Sequence, residues 1–467
     1  MSRITGLILL PLLTRRLTDS ELGVFGLLTS ALLLLQFGSG LGLDSAATRW
    51  YYESSVQGLR GDVLDADRRR TLSSWVWTTM AVSALLCTVG VLFAQRIAQA
   101  FFDGLPSEVR AVQMASLCVP TLAMINVLQH WYRMARRPIP ALVIAFGVAA
   151  STMALTIIFV GVQRMGAAGV FGAQAAVGGV VMVGGLRQMW PVIGAPSFDS
   201  ERLRAMLRYA LPLLPGVAST LLLGLLTRVL IRAFSNVGEV GDFQVVSMLA
   251  TVGVLFTAAL QQAWEPFALS VTDREAARPL YRTALTGYVA IAGLLTAGLA
   301  GGFPFALPIL GSGYKDLSLA AVVLCASVLA NGAVPILATG PSIVGSGRPA
   351  LEAVVSGAFV NIAFCVVLVP RYGQLGACWA SLFGSLVLAT VCWLRSERLW
   401  RIGFSGTRSV ASVVAALAAS ATCLAIGMRD GEMLPRIAAV VLILAVSAAG
   451  TGFVLIRDDR ERALGVV

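Results

Sequence analysis

Arginine pairs spaced four residues apart stand at the ends of several apolar segments in this chain of 467 residues. Arg133 and Arg137 form one pair, and Arg228 and Arg232 form another. Side chains four residues apart share one face of a helix, and guanidinium groups capture phosphate or carboxylate in a bidentate manner. The spacing therefore predicts helix faces suited to an anionic ligand.

Uncharged polar residues extend these faces along the same predicted helices. Asn126 precedes Arg133 by seven residues, and Gln36 precedes Asp44 by eight. In a bundle of helices such a polar stripe either lines a cavity or hydrogen-bonds across a helix interface. The sequence leaves both interpretations open.

Similar residues occur in the second half of the chain. Gln261 and Glu265 are four residues apart, and Asn331 and Asn361 interrupt apolar segments, where we predict them to be buried. If all these stripes face one central cavity, that cavity is cationic, because its arginines outnumber Asp44 and Glu265. The alternative is that each charge merely snorkels to the membrane interface.

Composition sets the class of protein. The chain is 57% hydrophobic and 13% charged, with a mean hydropathy of +0.82, whereas about a quarter of the residues of a soluble domain are charged. The net charge of +11 is scattered between apolar runs and forms no basic face that would predict nucleic-acid binding. The sequence predicts a polytopic membrane protein with no nucleic-acid partner.

Cysteine and histidine usage argues against a metal centre. The seven cysteines lie inside apolar runs without a C-x-x-C pair, which is typical of small core residues. His130 is the only histidine, and we predict a structural role for it. No GxxxxGK[ST] motif surrounds the only lysine, Lys315, so we expect neither a nucleotide-binding site nor a bound cofactor.

Apolar runs long enough, or nearly long enough, to cross a bilayer of about 30 Å predict an all-α fold of about 14 transmembrane helices. They fall at residues 4–13, 22–43, 74–93, 109–128, 141–162, 167–186, 209–226, 240–260, 283–310, 317–340, 350–369, 373–394, 410–427 and 437–456. The longest polar gaps between them are 44–73 and 187–208.

Basic residues predict the orientation. With the N-terminus inside, 24 of the 35 Lys and Arg residues fall on the cytoplasmic side and 11 on the other. Because positive charge is enriched in cytoplasmic loops, we expect both termini in the cytoplasm of a multi-pass protein in the inner, or plasma, membrane.

Two motifs recur in the same order. Glu21-x-Gly23-x-Phe25 returns as Glu239-x-Gly241-x-Phe243, and Gly166-x-x-Gly169 returns as Gly373-x-x-Gly376. An internal repeat with six helices between equivalents predicts two pseudo-symmetric lobes related by an axis along the membrane normal. We predict a six-helix lobe over 1–190, a second over 191–400, and two additional helices with a cytoplasmic tail over 401–467.

An ordered set of motifs over essentially the whole chain resembles the Wzx-type polysaccharide flippases. This family belongs to the multidrug/oligosaccharidyl-lipid/polysaccharide exporter superfamily, with the lipid II flippases and the multidrug and toxic-compound exporters. The motifs are Leu13-Thr14-Arg15-Arg16-Leu17, Gly42-Leu43-Asp44-Ser45-Ala46, Arg49-Trp50-Tyr51, Trp131-Tyr132-Arg133, Tyr209-Ala210-Leu211-Pro212, Ala263-Trp264-Glu265-Pro266 and Gly373-Gln374-Leu375-Gly376-Ala377.

The resemblance implies a function and a set of site residues. It implies a flippase, not an enzyme, that carries a lipid-linked oligosaccharide of the undecaprenyl-pyrophosphate type across the membrane by alternating access. The implied partners are this substrate, the bilayer and other membrane proteins of polysaccharide assembly. Predicted substrate-binding residues are Arg15, Arg49, Arg133, Arg228, Asn126 and Asn361, and predicted ion-coupling residues, for H+ or Na+, are Asp44 and Glu265.

One departure and three alternatives accompany the resemblance. The seventh helix of such flippases often ends in an Asp-Arg pair, whereas this chain has Thr227-Arg228, which weighs against ion coupling at that position. Within the superfamily, the alternatives are a lipid II flippase and a cation-coupled drug exporter. From another class, a membrane-embedded glycan polymerase or ligase would need a long outward loop rich in Arg or His, and the outward loops predicted here are short.

Overall fold

The computed structural model describes residues 3–56, 61–195, 199–211, 214–270, 278–310, 312–344, 348–400, 418–427, 438–444 and 447. Over these ranges the chain is almost entirely helical, and they contain no β-strand. The predicted all-α fold class is confirmed.

Seventeen helices are labelled in chain order, with a π-helical turn at Ile157–Val162 and a 3-10 turn at Ser312–Leu317. They are α1 (Arg3–Arg16), α2 (Asp19–Gly40), α3 (Leu43–Val56), α4 (Gly61–Leu92), α5 (Ala94–Phe101), α6 (Pro106–Met134), α7 (Pro138–Thr156), α8 (Gly166–Ile193), α9 (Ser200–Ala210), α10 (Leu214–Phe234), α11 (Val237–Leu249), α12 (Thr251–Ser270), α13 (Arg278–Leu310), α14 (Ser318–Gly332), α15 (Val334–Leu337), α16 (Thr339–Val344) and α17 (Arg348–Leu399).

Eight segments of the described chain are long and apolar enough to cross a membrane, and a bent pair formed by α11 and α12 makes a ninth. The chain is therefore a multi-pass membrane protein. The predicted number of about 14 spans stays a prediction, because the runs at 410–427 and 437–456 lie partly outside the described residues. The first run at 4–13 forms α1, a helix of only 14 residues.

The chain divides into two compact units, Met1–Gly241 and Asp242–Val467. Nothing tests the predicted division at 190 and 400, which stays a prediction. In the first unit, α2, α4, α6 and α8 pack together and α10 packs on α2. In the second unit, α14 packs against α12, α13 and α17.

The first copy of the Glu-x-Gly-x-Phe motif begins α2 and has a complete capping box. The Thr18 hydroxyl accepts from the Glu21 backbone N–H at 3.2 Å, and the Glu21 carboxylate accepts from the Thr18 N–H at 3.1 Å. At the equivalent position of α11, the Asn236 side chain accepts from the Glu239 N–H at 2.9 Å. Such contacts satisfy N–H groups that a helix start leaves unpaired, so both copies of the motif begin a helix.

The glycines of the same motif let α2 and α11 touch through their backbones. A Cβ at Gly23 would clash with the Val237 carbonyl oxygen, and a Cβ at Gly241 would clash with the Asp19 carbonyl and lie 3.0 Å from the Gly23 nitrogen. Gly23 of the first copy thus packs against Val237 at the start of α11. Gly241 of the second copy packs against Asp19 at the start of α2.

The second repeated motif has the same backbone geometry in both copies. Gly166 has a φ of +61° and Gly373 a φ of +53°, a left-handed conformation that side chains other than glycine rarely adopt. Gly166 begins α8, and Gly373 marks the break inside α17. The repeat inferred from the sequence therefore reappears as a repeat of helix starts.

Each unit has its own apolar core. That of the first unit joins α3, α4, α6, α8 and α9, and centres on the fully buried Trp75 and Met124. That of the second unit includes Tyr281, Tyr288 and Trp264. Six cysteines are buried and Cys87 is half-buried, as expected of core residues.

Candidate functional site

Three predicted site residues of the first unit, Asp44, Arg49 and Arg133, lie near the C-terminal end of α2. We call this region the Arg49 end. Leu41 with a φ of 47° and Gly42 with a φ of 66° separate α2 from α3. The turn starts α3 at Leu43 and places Asp44 in its first turn and Arg49 one turn later. The predicted polar gap 44–73 is thus occupied by α3 and the start of α4.

Arg49 is held by aromatic rings and one carboxylate. Its guanidinium carbon lies 4.8 Å from the centre of the Tyr209 ring and 5.2 Å from that of the Trp50 ring. Its Nε lies 3.5 Å from a carboxylate oxygen of Glu53. Cation–π contacts orient a guanidinium without using all of its N–H donors, and the Arg49 side chain is 51% exposed. Arg49 is therefore oriented and open to an anionic ligand.

The half-buried Asp44 sits in a hydrogen-bonded cluster with His130. The Trp75 indole N–H donates to the Asp44 carboxylate at 3.0 Å. The Thr48 hydroxyl donates to the Asp44 backbone carbonyl at 2.9 Å and lies 2.7 Å from His130 Nε2. The Trp75 and His130 rings meet edge to face with 5.6 Å between centroids. The cluster joins α3, α4 and α6.

Arg133 lies exposed in the last turn of α6, beside α3. Tyr52 of α3 donates its hydroxyl proton to the Met134 carbonyl at 2.6 Å, one helical turn beyond the Thr48–His130 contact. From the first contact to the second, both helices advance by four residues, so α3 and the end of α6 run side by side. Arg49 and Arg133 therefore belong to neighbouring helices at the same end of the unit.

More basic residues surround this end. Arg68 lies over the Tyr51 ring at 4.4 Å, and Arg69 donates to the Pro191 carbonyl at 2.8 Å. Arg202 pairs with Asp67 and joins α9 to α4. The described part of the Arg49 end thus combines several guanidinium groups, which attract phosphate or carboxylate.

Arg15 and Arg228 lie away from the Arg49 end. The 22 residues of α2 span about 33 Å, and Arg15 lies exposed before the first residue of α2. Arg228 donates to the Gly224 carbonyl at 3.0 Å on α10, and Arg232, one turn further, contacts Asp103 at 3.2 Å and the Phe101 carbonyl at 3.3 Å. One small headgroup cannot contact Arg15 and Arg49 together in this conformation.

The predicted polar residues outside this cluster have varied surroundings. Asn126 is exposed on α6. Asn361 is buried within α17, and its amide N–H donates to the Ser381 hydroxyl at 3.4 Å. This contact joins the helical segments on either side of the break at Gly373. Asn331, expected to be buried, is exposed, because it lies near the C-terminal end of α14. The Glu265 side chain falls outside the described part of the chain.

Sequence reasoning missed the aromatic and hydroxyl residues that hold the cluster together. Trp50, Trp75, Thr48 and Tyr209 come from three helices, and their side chains meet only after folding. A usable signal was present, since Tyr209 lies on α9, a short amphipathic helix that starts after the N-cap residue Asp199. The structural role predicted for His130 stays a prediction, and its ring contacts Thr48 and Trp75, which both hydrogen-bond to Asp44.

Comparisons with known proteins agree with this fold. The model of the polysaccharide biosynthesis protein family matches residues 1–269. Among solved structures, the chain is similar to the lipid II flippase MurJ in an inward closed conformation, with 12% identity, 98% of this chain and 97% of that chain covered, and a TM-score of 0.78.

A second solved structure is similar over most of both chains. It is a multidrug resistance MATE family transporter of the MOP superfamily in an inward-facing conformation, with 15% identity, 86% of this chain and 95% of that chain covered, and a TM-score of 0.69. A comparison with curated proteins gives no match.

Proposed function

Because the chain belongs to the polysaccharide biosynthesis protein family, we propose that it is a flippase for a lipid-linked oligosaccharide. The substrate is of the undecaprenyl-pyrophosphate type, and the chain carries it across the cytoplasmic membrane by alternating access for surface polysaccharide biosynthesis. The observation that carries the proposal is the placement of Arg49 and Arg133 on neighbouring helices at one end of a membrane-spanning unit.

The chemistry of these two residues suits a pyrophosphate. Arg49 is half-exposed and oriented by Tyr209 and Trp50, and Arg133 is exposed. A guanidinium presents paired N–H donors that match two phosphate oxygens, and hydrogen bonds between charged groups are about twice as strong as neutral ones. The Arg49 end is the loading site in this proposal, and it faces the cytoplasm as the charge distribution predicts.

The proposal is tested in a host whose surface glycan depends on this protein. We expect Arg49→Ala and Arg133→Ala to reduce glycan display at unchanged protein abundance. Arg96→Ala is the matched control, because Arg96 is an exposed arginine of the same unit that lies over the Phe93 ring. Normal display in both site variants would contradict the loading-site assignment.

A lipid II flippase is the second candidate, favoured by the fold match to MurJ over 98% of this chain. Both candidate substrates present a polyprenyl pyrophosphate, so Arg49 and Arg133 suit either. Rescue of a host depleted of its own lipid II flippase, without restoration of surface glycan, would favour this candidate over the first.

Ion coupling is the remaining part of the proposal. Asp44 and Glu265 are the proposed coupling residues, with H+ or Na+ as the ion. Their contribution is measured as leaflet transfer in proteoliposomes before and after the proton and sodium gradients are collapsed. Transfer that is unchanged after both gradients are collapsed would contradict a gradient-driven mechanism.

A further inference from the structure

His130 is the only histidine in the chain, and it lies within the proposed loading site. Histidine is the side chain whose ordinary pKa falls near physiological pH. The ring is half-buried near the C-terminal end of α6, one turn from Arg133. It contacts α3 through Thr48 and α4 through Trp75.

The hydrogen-bond partners of Thr48 favour one tautomer of neutral His130. The Thr48 hydroxyl has one proton, which it donates to the Asp44 carbonyl at 2.9 Å, because a carbonyl only accepts. With the hydroxyl proton on this carbonyl, the contact of 2.7 Å between the hydroxyl oxygen and His130 Nε2 is made with the ring nitrogen as donor. Nε2 carries the proton of the neutral ring, and a second proton adds at Nδ1.

Two charged groups of opposite sign act on this ring. Among the described residues they are the Asp44 carboxylate on α3 and the Arg133 guanidinium on α6, while α4 contributes the neutral indole of Trp75. Burial of the ring favours the neutral imidazole, the Asp44 carboxylate favours an imidazolium, and the Arg133 guanidinium opposes it. The balance between them depends on what Arg133 binds.

We propose that His130 is a proton-binding site coupled to the anionic headgroup, so that binding of a pyrophosphate beside Arg133 draws a proton onto Nδ1. This inference rests on the proposed function. The anion neutralises Arg133 and adds negative charge near the ring, and both effects favour the imidazolium. Coupling is reciprocal, so protonated His130 binds the headgroup more tightly, and affinity falls as pH rises through the titration of His130.

The test measures proton uptake on binding. The probe is farnesyl pyrophosphate, added to the purified full-length protein, and titration calorimetry in buffers of different ionisation enthalpy counts the protons bound. We expect up to about one more proton per bound probe in the wild type than in His130→Gln. When the pH is lowered from about 8 to about 5.5, the affinity for the probe should increase in the wild type. This increase should be about tenfold larger than the increase in His130→Gln.

The probe also binds protons, and this contribution is the same with both proteins. A difference between the two proteins therefore reports on His130. Equal proton uptake and equal pH dependence in wild type and His130→Gln would overturn the inference and leave the proposed function standing. No binding by the wild type at any pH would overturn both.

A second variant serves if His130→Gln fails to fold. Asp44→Asn retains an acceptor for the Trp75 N–H and removes the charge that favours the imidazolium. We expect its pH midpoint for probe binding to move to lower pH, and an unchanged midpoint would overturn the inference.

Discussion

Arg49 is oriented by neighbouring side chains while its own side chain stays half-exposed. Two aromatic rings orient the guanidinium, and among the described residues one carboxylate, that of Glu53 with a 38% exposed side chain, pairs with it. Exposed ion pairs contribute little, about 0–1 kcal/mol, so a pyrophosphate can replace Glu53 at small cost. The contacts of Arg49 therefore fit an anion-binding residue.

Replacement of Arg49 separates the roles of charge and geometry. Arg49→Ala is expected to weaken farnesyl pyrophosphate binding about tenfold or more, because hydrogen bonds to charged groups contribute about 1.5–3 kcal/mol. Arg49→Lys keeps the charge and loses the planar fork, so we expect intermediate affinity. Titration calorimetry with Arg96→Ala as control checks both. Affinity of Arg49→Ala equal to that of the control would exclude a direct role.

Tyr209 is expected to act through Arg49. Tyr209→Ala removes the ring 4.8 Å from the guanidinium, a contact of about 0.5–1 kcal/mol at an exposed site, and should weaken probe binding by a few fold. Tyr209→Phe keeps the ring face and should bind like the wild type. If Tyr209→Phe is as weak as Tyr209→Ala, the hydroxyl and not the ring is the important group.

Sequence reasoning named ionisable residues as candidates but did not name the residues that they contact on other helices. Arg49, Arg133 and Asp44 were predicted because ionisable residues at the ends of apolar runs are few, and their roles stay predictions. Thr48 and Trp75 give no such signal, since a single hydroxyl or indole in a helix is most often ordinary core. Their importance depends on the contacts of α3 with α4 and α6.

At the scale of elements, the contact between α2 and α11 depends on glycine. We expect Gly23→Ala and Gly241→Ala to destabilise the protein by about 1–3 kcal/mol, the range for overpacking, because each new Cβ meets backbone atoms that cannot rotate away. Gly38→Ala is the matched control in α2, since nothing lies within 4 Å of its Cβ. Thermal unfolding of the purified variants measures the difference. Melting temperatures of Gly23→Ala and Gly241→Ala equal to that of Gly38→Ala would contradict a close backbone contact between the two helices.

The sequence predicted the spanning helices better than the helices between them. Apolar runs located α2, α6, α8 and α14, because a bilayer demands about 20 apolar residues. The polar gaps 44–73 and 187–208 were predicted only as connections, yet they contain α3, the start of α4 and most of α9. Hydropathy cannot detect such helices, since their residues are largely polar and only one face is buried, as at Met206 and Ala210.

The contact between α2 and the start of α11 lies within the unit Met1–Gly241 and offers a way to test movement inside that unit. The Cβ of Asp19 lies 3.7 Å from the position a Cβ would take at Gly238, within the range of about 3.5–4.5 Å that a disulfide needs. If transport requires these helices to separate, oxidation of the double variant Asp19→Cys/Gly238→Cys should stop leaflet transfer, and a reductant should restore it. The single variants are the controls. Full transfer by the completely cross-linked protein would contradict movement at this contact.

We propose that this chain moves a lipid-linked anionic glycan between leaflets. The most direct test of this proposal is leaflet transfer of a polyprenyl-pyrophosphate-linked oligosaccharide in proteoliposomes, measured as access of an external glycan-cleaving enzyme to substrate that begins in the inner leaflet. The wild type should expose the substrate faster than empty vesicles do, and the Arg49→Ala/Arg133→Ala double variant should lose most of that rate while Arg96→Ala keeps it. If the wild type exposes the substrate no faster than empty vesicles do, the proposed flippase function is contradicted.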